Sequence, residues 1–293
     1  MRIAEQQRPA PGTLLLDHIA HFVPDLDAAA RALSALGFAV TPESAHSSQD
    51  GPAGSSNVCV MLEHGYLEIL APTADTPNGR NVRSWMERYR GVHLCCFGTP
   101  DAAAEQRRLQ DHGFAPLPVV QLRREVEENL AARFEVVRAA REKMPEGRIQ
   151  FVRHLTPEAL WRPQHLRHAN GATRLACLFV VAEDPVATAA RWGHFAALLP
   201  RPAGEFVHLP LARGNVLVGR RETWTALLGD APPAPGLSGY ALECQDAAAL
   251  VSRCKLAGVA LRRLRENLYA ASLPEALGSS LIFGTRQGLG LPT

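Results

Sequence analysis

The feature that most constrains this sequence is that it repeats itself. Residues 18–38 begin with His18 in an apolar run, pass through an Asp ahead of an alanine run, and end in Gly37-Phe38. Residues 93–114 do the same, from His93 through Asp101 and three alanines to Gly113-Phe114. A strand, an Asp-capped helix and a glycine stop account for each segment, because Asp satisfies orphan helix N–H groups and Gly accepts the backbone turn that ends a helix. Two weaker copies follow. Leu175 to Ala182 leads to Asp184-Pro185 and a helix through Ala190 and Trp192, and Gly239 to Cys244 leads to Asp246 and a helix ending near Gly258. The starts near 18, 93, 175 and 239 define four supersecondary units of roughly 65–80 residues.

Each helix is followed by stretches that read as strands. Val58, Val60 and Leu62 alternate at period two, Glu63-His64-Gly65 turns the chain, and residues 66–70 return. In the third unit residues 206–211 and 215–219 flank Arg213-Gly214, and in the fourth residues 261–271 and 279–283 play the same parts. The second unit is the exception. Residues 125–144 have helical composition, and only analogy with the other units makes 133–137 a strand before the last strand, 148–155. The expected fold is α+β, four βαβββ units paired into two domains. These are a site domain at 14–156, a Pro-, His-, Asn- and Gly-rich connector at 157–172, and a second domain at 173–285.

Composition excludes several partners. With 31 basic and 29 acidic residues the formal charge is +2, which provides no field for gathering nucleic acid or anionic lipid. The first apolar cluster, Leu14 to Leu16, is stopped by Asp17 and is too short to target or span a membrane. Lys143 and Lys255 are the sole lysines, so Schiff-base chemistry is disfavoured, and the arginine excess reads as genome composition. Six cysteines without a CxxC pair indicate neither zinc finger nor dithiol motif; Cys95 and Cys96 read as small core residues, and a reducing cytoplasm is expected.

The fourfold βαβββ pattern, with strands that begin Asp17-His18-Ile19 and end Tyr66-Leu-Glu68-Ile-Leu-Ala-Pro72, resembles the vicinal oxygen chelate superfamily. The stretch His154-Leu-Thr-Pro-Glu158, Trp161-Arg-Pro163 and His168-Ala-Asn170-Gly171-Ala172 is similar to the central signature of its two-domain glyoxalase-like branch. The resemblance implies two glyoxalase-like domains, each a cupped sheet made by two units, with a divalent metal in the cup.

A lone histidine in an apolar strand, such as His18 between Leu16 and Ala20, is more often a hydrogen-bonded core residue than a ligand. His93 occupies the same place in the second unit, each with a Phe four residues later, and pairing the two strands would bring both rings to one centre, where a metal explains both. Glu68 is costly in an apolar strand unless paired, and the resemblance makes it a third ligand and, on release from the metal, the catalytic base. The fourth ligand implied falls on the last strand of the second unit: His154 first, Gln150 as the alternative, or water. Two imidazoles and a carboxylate suit Zn, Fe(II), Ni, Mn or Co without choosing among them.

Tyr66 shares the face of Glu68 and lines the expected pocket with Gln150. Trp161 either closes the pocket against water or packs between domains. The second half replaces the ligands with carbon: Leu175 or Cys177, Leu217, Gly239 or Tyr240, and Leu281 or Phe283. The expected activity is that of a metal-dependent isomerase or lyase acting by chelation on a small oxygenated substrate. An extradiol-type Fe(II) dioxygenase and a non-catalytic ligand-sequestering protein of the bleomycin-resistance type are the alternatives. A small-molecule substrate is the expected partner, with a homodimer left open as against a monomer.

Overall fold

The computed structural model describes residues 3–48, 51–127 and 130–290. The first half runs β1 (Leu15–Phe22), α1 (Leu26–Ala35), β2 (Ser44–Ser48), β3 (Gly51–Met61), β4 (Tyr66–Pro72), α2 (Pro77–Met86), β5 (Gly91–Gly98), α3 (Ala102–Asp111), β6 (Val120–Glu127), β7 (Leu130–Arg138) and β8 (Arg148–His154). The second half runs β9 (Ala172–Val181), α4 (Pro185–Ala196), β10 (Arg201–Ala203), β11 (Phe206–Pro210), β12 (Asn215–Gly219), α5 (Arg221–Leu228), β13 (Gly236–Cys244), α6 (Ala247–Leu256), β14 (Leu261–Arg265), β15 (Leu268–Ser272), β16 (Ser280–Gly284) and α7 (Arg286–Leu289). All four repeats are therefore β-α-β-β-β, and α2 and α5 are the extra helices that link the units of each pair.

The caps form as the composition dictates. Asp101, Asp184 and Asp246 accept backbone N–H groups at the starts of α3, α4 and α6; in α1 the cap is Asp25, and Asp27 lies inside the first turn. Within residues 125–144, of helical composition, 125–127 and 130–138 belong to the antiparallel pair β6–β7, so the ladder prevails over intrinsic helix preference.

In the first half, β1 pairs antiparallel with β5, and the sheet closes into a barrel of order β1-β4-β3-β2-β6-β7-β8-β5. The second half makes an eight-stranded sheet, β10-β11-β12-β9-β13-β16-β15-β14, with β9 and β13 antiparallel at its centre. The two sheets share one core. Ile19, Cys95 and Phe97 on the outer barrel face join Leu178, Tyr240 and Leu281, with Leu33, Leu109, Trp192 and Leu250 supplied by helices. Buried polar groups fasten the halves. Glu146 accepts Trp192 Nε1 at 3.1 Å and pairs with Arg191, and His21 Nδ1 donates to the Leu277 carbonyl at 2.9 Å.

The two cups differ in what fills them. Trp224 of α5 stacks on Phe179 at 4.6 Å, meets Phe206 at 4.5 Å and donates to the Val180 carbonyl, so aromatic rings pack into the second cup. In the first half, Trp85 of α2 sits at the edge of the barrel and leaves its interior open.

Candidate functional site

The barrel encloses a cavity of about 810 Å³. Its register rows determine which side chains face inward. One row runs Tyr66, His18, Cys96, Gln150 and Arg138 across β4, β1, β5, β8 and β7. The next runs Cys59, Glu68, Ala20, Leu94 and Arg148. His18 and Glu68 thus lie on adjacent rows and strands, and the His18 Nε2 to Glu68 Oε2 distance is 3.8 Å.

Two bulges set this geometry. Leu16 pairs with Phe97 and His18 with Cys96, so Asp17 is the extra residue on β1. The bulge breaks the expected alternation: Leu16 lies in the core between the sheets, whereas His18 lines the cavity. It also turns the Asp17 carboxylate toward two imidazoles. His18 Nδ1 donates to Oδ1 at 2.6 Å, and His154 Nε2 donates to Oδ2 at 2.9 Å. Burial alone would raise the Asp17 pKa, but the charge and hydrogen bonds of His154 and His18 hold it well below the usual carboxylate range. Gly65, at φ +80°, allows the β3–β4 turn to pass here, since a Cβ would meet the Asp17 carbonyl oxygen at 2.7 Å.

The second bulge corrects the expectation for His93. Ala20 pairs with Leu94 and His21 with Val92, so His93 is skipped in the ladder. Its ring packs on Tyr89 at 4.1 Å beside Phe22, and Nε2 donates to the Tyr89 carbonyl at 2.8 Å. Burial foremost lowers its pKa to about 4. The pseudo-twofold about the Ile19–Cys95 pair exchanges His18 with Leu94 and Glu68 with Gln150. The positions symmetric to His18 and Glu68 therefore carry a hydrocarbon and an amide. Gln150 Oε1 already accepts Arg138 Nε at 2.9 Å.

Of the expected ligands, the structure brings His18 and Glu68 together. His154 stands behind them on Asp17, and His93 lies elsewhere. Among the described residues no group of three or more His, Cys, Asp or Glu is placed to hold a metal ion, so the expected quartet does not fit one. Tyr66 stacks over His18 at 4.3 Å and lines the cavity, and burial foremost holds its hydroxyl pKa well above the ordinary value. Trp161 is one layer back. It is edge-on to His154 at 5.0 Å and Tyr66 at 5.8 Å, and its Nε1 donates to the Leu62 carbonyl at 3.0 Å. The rest of the central signature rivets the connector down: His168 Nδ1 accepts the Ala39 N–H and its Nε2 donates to the Met61 carbonyl, while Asn170 donates to the Leu36 carbonyl.

Sequence reasoning missed Asp17 as an anchor, Asn57, and three arginines. Asn57 Nδ2 donates to Glu68 Oε1 at 2.5 Å. Arg124, Arg138 and Arg148 line the cavity from β6, β7 and β8. The signal was the alternation of β6, in which Val120, Leu122, Arg124 and Val126 share the inward face.

A barrel of paired βαβββ units with its cavity between them is the fold of the vicinal oxygen chelate superfamily. Residues 16–198 match the family described as "Glyoxalase-like domain", and the chain belongs to that family. No curated protein matches. Among solved structures, a hypothetical protein from Staphylococcus aureus is similar with a TM-score of 0.65 at 12% identity, over 93% of this chain and 99% of that one. A mutant 4-hydroxymandelate synthase from Streptomyces coelicolor aligns with a TM-score of 0.56 at 16% identity, covering 94% of each chain. The Mn(II)-bound glyoxalase from Novosphingobium aromaticivorans gives 0.57 at 8% identity, over 93% of this chain and 83% of that one. At these identities the likeness is one of fold. Among the described residues no helix is long and apolar enough to cross a membrane.

Proposed function

We propose that the first-half cavity is the active site of an isomerase or lyase that moves a proton on a small oxygenated molecule, with Glu68 as the base. The observation that carries this reading is the His18–Glu68 pair. Asp17 accepts the hydrogen bond of His18 Nδ1–H, which leaves the Nε2 lone pair facing Glu68 Oε2 at 3.8 Å inside a cavity of substrate size. Asn57 fixes the carboxylate through Oε1. A carboxylate in this position takes a proton from a carbon adjacent to a carbonyl, the C–H electron pair passing into the enolate, and the resulting carboxylic acid returns the proton; the His18 Nε2 lone pair accepts the hydrogen bond of a substrate hydroxyl. A positioned general base of this kind contributes about 10²- to 10⁴-fold in rate.

The Mn(II)-bound glyoxalase among the structural neighbours supports small-molecule chemistry in this kind of cup. Here two of the four symmetric positions are Leu94 and Gln150, so the proposal assigns the proton transfer to the side chains themselves. The test is a panel of small hydroxy- and keto-compounds, neutral and acidic, incubated with the protein in D₂O and followed by NMR. Exchange of a C–H adjacent to a carbonyl is the expected result, and no exchange across the panel overturns the reading. Elemental analysis of the same preparation, purified without chelator, separates the alternatives. One equivalent of a divalent ion that is lost in both His18→Ala and Glu68→Gln would make the pair part of a metal site. Stoichiometric iron with oxygen uptake would place the chain with dioxygenases instead.

A further inference from the structure

Among the described residues, Arg124, Arg138, Arg141 and Arg148 line the cavity, against the carboxylates of Glu68 and the exposed Glu142. Arg124 and Arg148 are buried at 5% and 9% exposure, and Arg138 is half-buried. Among the described residues none of the three has a carboxylate within 4.0 Å; each makes one hydrogen bond, to a neutral acceptor. Arg124 reaches Cys59 Sγ, Arg138 reaches Gln150 Oε1 at 2.9 Å, and Arg148 reaches Asn78 Oδ1 at 2.6 Å. The charge of Asp17 is engaged with His18 and His154. Glu68 is the buried carboxylate on the cavity wall, and it is bonded to Asn57.

Arg138 and Arg148 are the closest of the three in register. Arg138 is opposite Gln150, so Arg148 is its diagonal neighbour on the same inward face. A buried guanidinium without an anionic partner is expensive, and two side by side are more so. Burial foremost, and then the charge of Arg138, holds the Arg148 pKa well below its ordinary value, and burial brings Arg138 to about 10. A guanidinium keeps its proton at neutral pH even when buried. A protein that keeps this arrangement gains something from an anion that enters and takes the remaining N–H groups.

We propose that Arg138 and Arg148 form an anion clamp, and that the substrate of this cavity is an acid whose carboxylate or phosphate group docks there while its carbon body lies along Leu94, Val136 and Val152. This assignment of substrate class rests on the reading of the cavity as the active site. The clamp sits on β7 and β8, and Glu68 lies on the same register row as Arg148, two strands beyond Leu94. The acid group is thereby held apart from the carbon whose proton Glu68 takes.

The experiment is isothermal titration of the full chain with three probes: 2-oxohexanoate, its methyl ester, and hexyl phosphate. One or both anions should bind, and the ester at least about 10-fold more weakly. The ratio of the two anions decides between carboxylate and phosphate. Arg148→Met and Arg138→Met should each weaken the preferred anion by about 10- to 100-fold while leaving the ester unchanged. Both variants should melt no lower than wild type, since removing an unbalanced buried charge relieves the fold; Arg148→Lys serves as a charge-retaining control with intermediate affinity. Equal binding of acid and ester, wild-type affinity in both Met variants, or no binding of either anion overturns the proposal.

The same titrations on Glu68→Gln keep the two readings apart. Anion binding that depends on the arginines without any Glu68-dependent exchange would sink the base and leave the clamp. Glu68-dependent exchange on neutral compounds alone would sink the clamp and leave the base.

Discussion

Asp17→Asn is the most telling perturbation of the site's scaffold. Asp17 is fully buried and accepts from His18 at 2.6 Å and from His154 at 2.9 Å. The amide keeps the volume but offers one acceptor where the carboxylate offers two, so one imidazole N–H loses its partner and faces an N–H instead. Hydrogen bonds to a charged group are worth about 1.5–3 kcal/mol each, and one is lost outright. The relief of no longer burying a carboxylate offsets part of this, which leaves a destabilisation of about 1–2 kcal/mol. Urea denaturation at pH 7 measures it. The pH dependence gives an independent check. The folded pKa of Asp17 is depressed below its ordinary 3.8, so its contribution is fully present above that value and is lost as pH falls toward the folded pKa. The gap between wild type and variant should shrink by up to about 1.4 kcal/mol per pH unit below that point. A variant as stable as wild type at pH 7, or a gap that does not change with acid, refutes the assignment of Asp17 as the anchor of both rings.

Three further outcomes are expected. Trp161→Ala removes a buried ring packed on Tyr66 and His154 together with its bond to Leu62, and should cost about 3–5 kcal/mol in chemical denaturation; retained stability with lost ligand affinity would show Trp161 to be a pocket wall rather than a support. His93→Gln should leave any turnover within about threefold of wild type, because its ring lies outside the cavity, whereas His18→Gln should lower it by about 10²-fold or more. Equal losses would return His93 to the site. Glu146→Ala strips the partner from Arg191 and Trp192 across the two halves and should lower stability by about 3 kcal/mol in urea unfolding, with ligand titration unchanged.

Much of the fold was legible because repetition and capping are local signals. Asp101, Asp184 and Asp246 cap the helices that follow them, and Val58, Val60 and Leu62 occupy one strand face in the core. The β6–β7 pair was obscured by residue choice. Glu, Arg, Leu and Ala favour helix, and an inward face that carries Arg124 and Arg138 blurs the apolar alternation by which a strand is read. The site was half legible. His18 and Glu68 lie side by side on the cavity wall, whereas the ladder skips His93, one residue from the position symmetric to His18. Leu94 is the symmetric position, and one residue turns a strand side chain to the other face. Bulges at Asp17 and His93 leave no mark in hydrophobic periodicity, since they depend on the partner strand. The cavity arginines were hidden among many others in the sequence.

The central claim is that Glu68 carries the proton in the first-half cavity. The most direct measurement compares wild type with Glu68→Gln on whichever compound exchanges in D₂O, recording both the exchange rate and the dissociation constant. Gln preserves shape and removes the base, so exchange should fall by about 10²- to 10⁴-fold while affinity stays within about threefold. Exchange that survives in Glu68→Gln would contradict the account and move the base to another group.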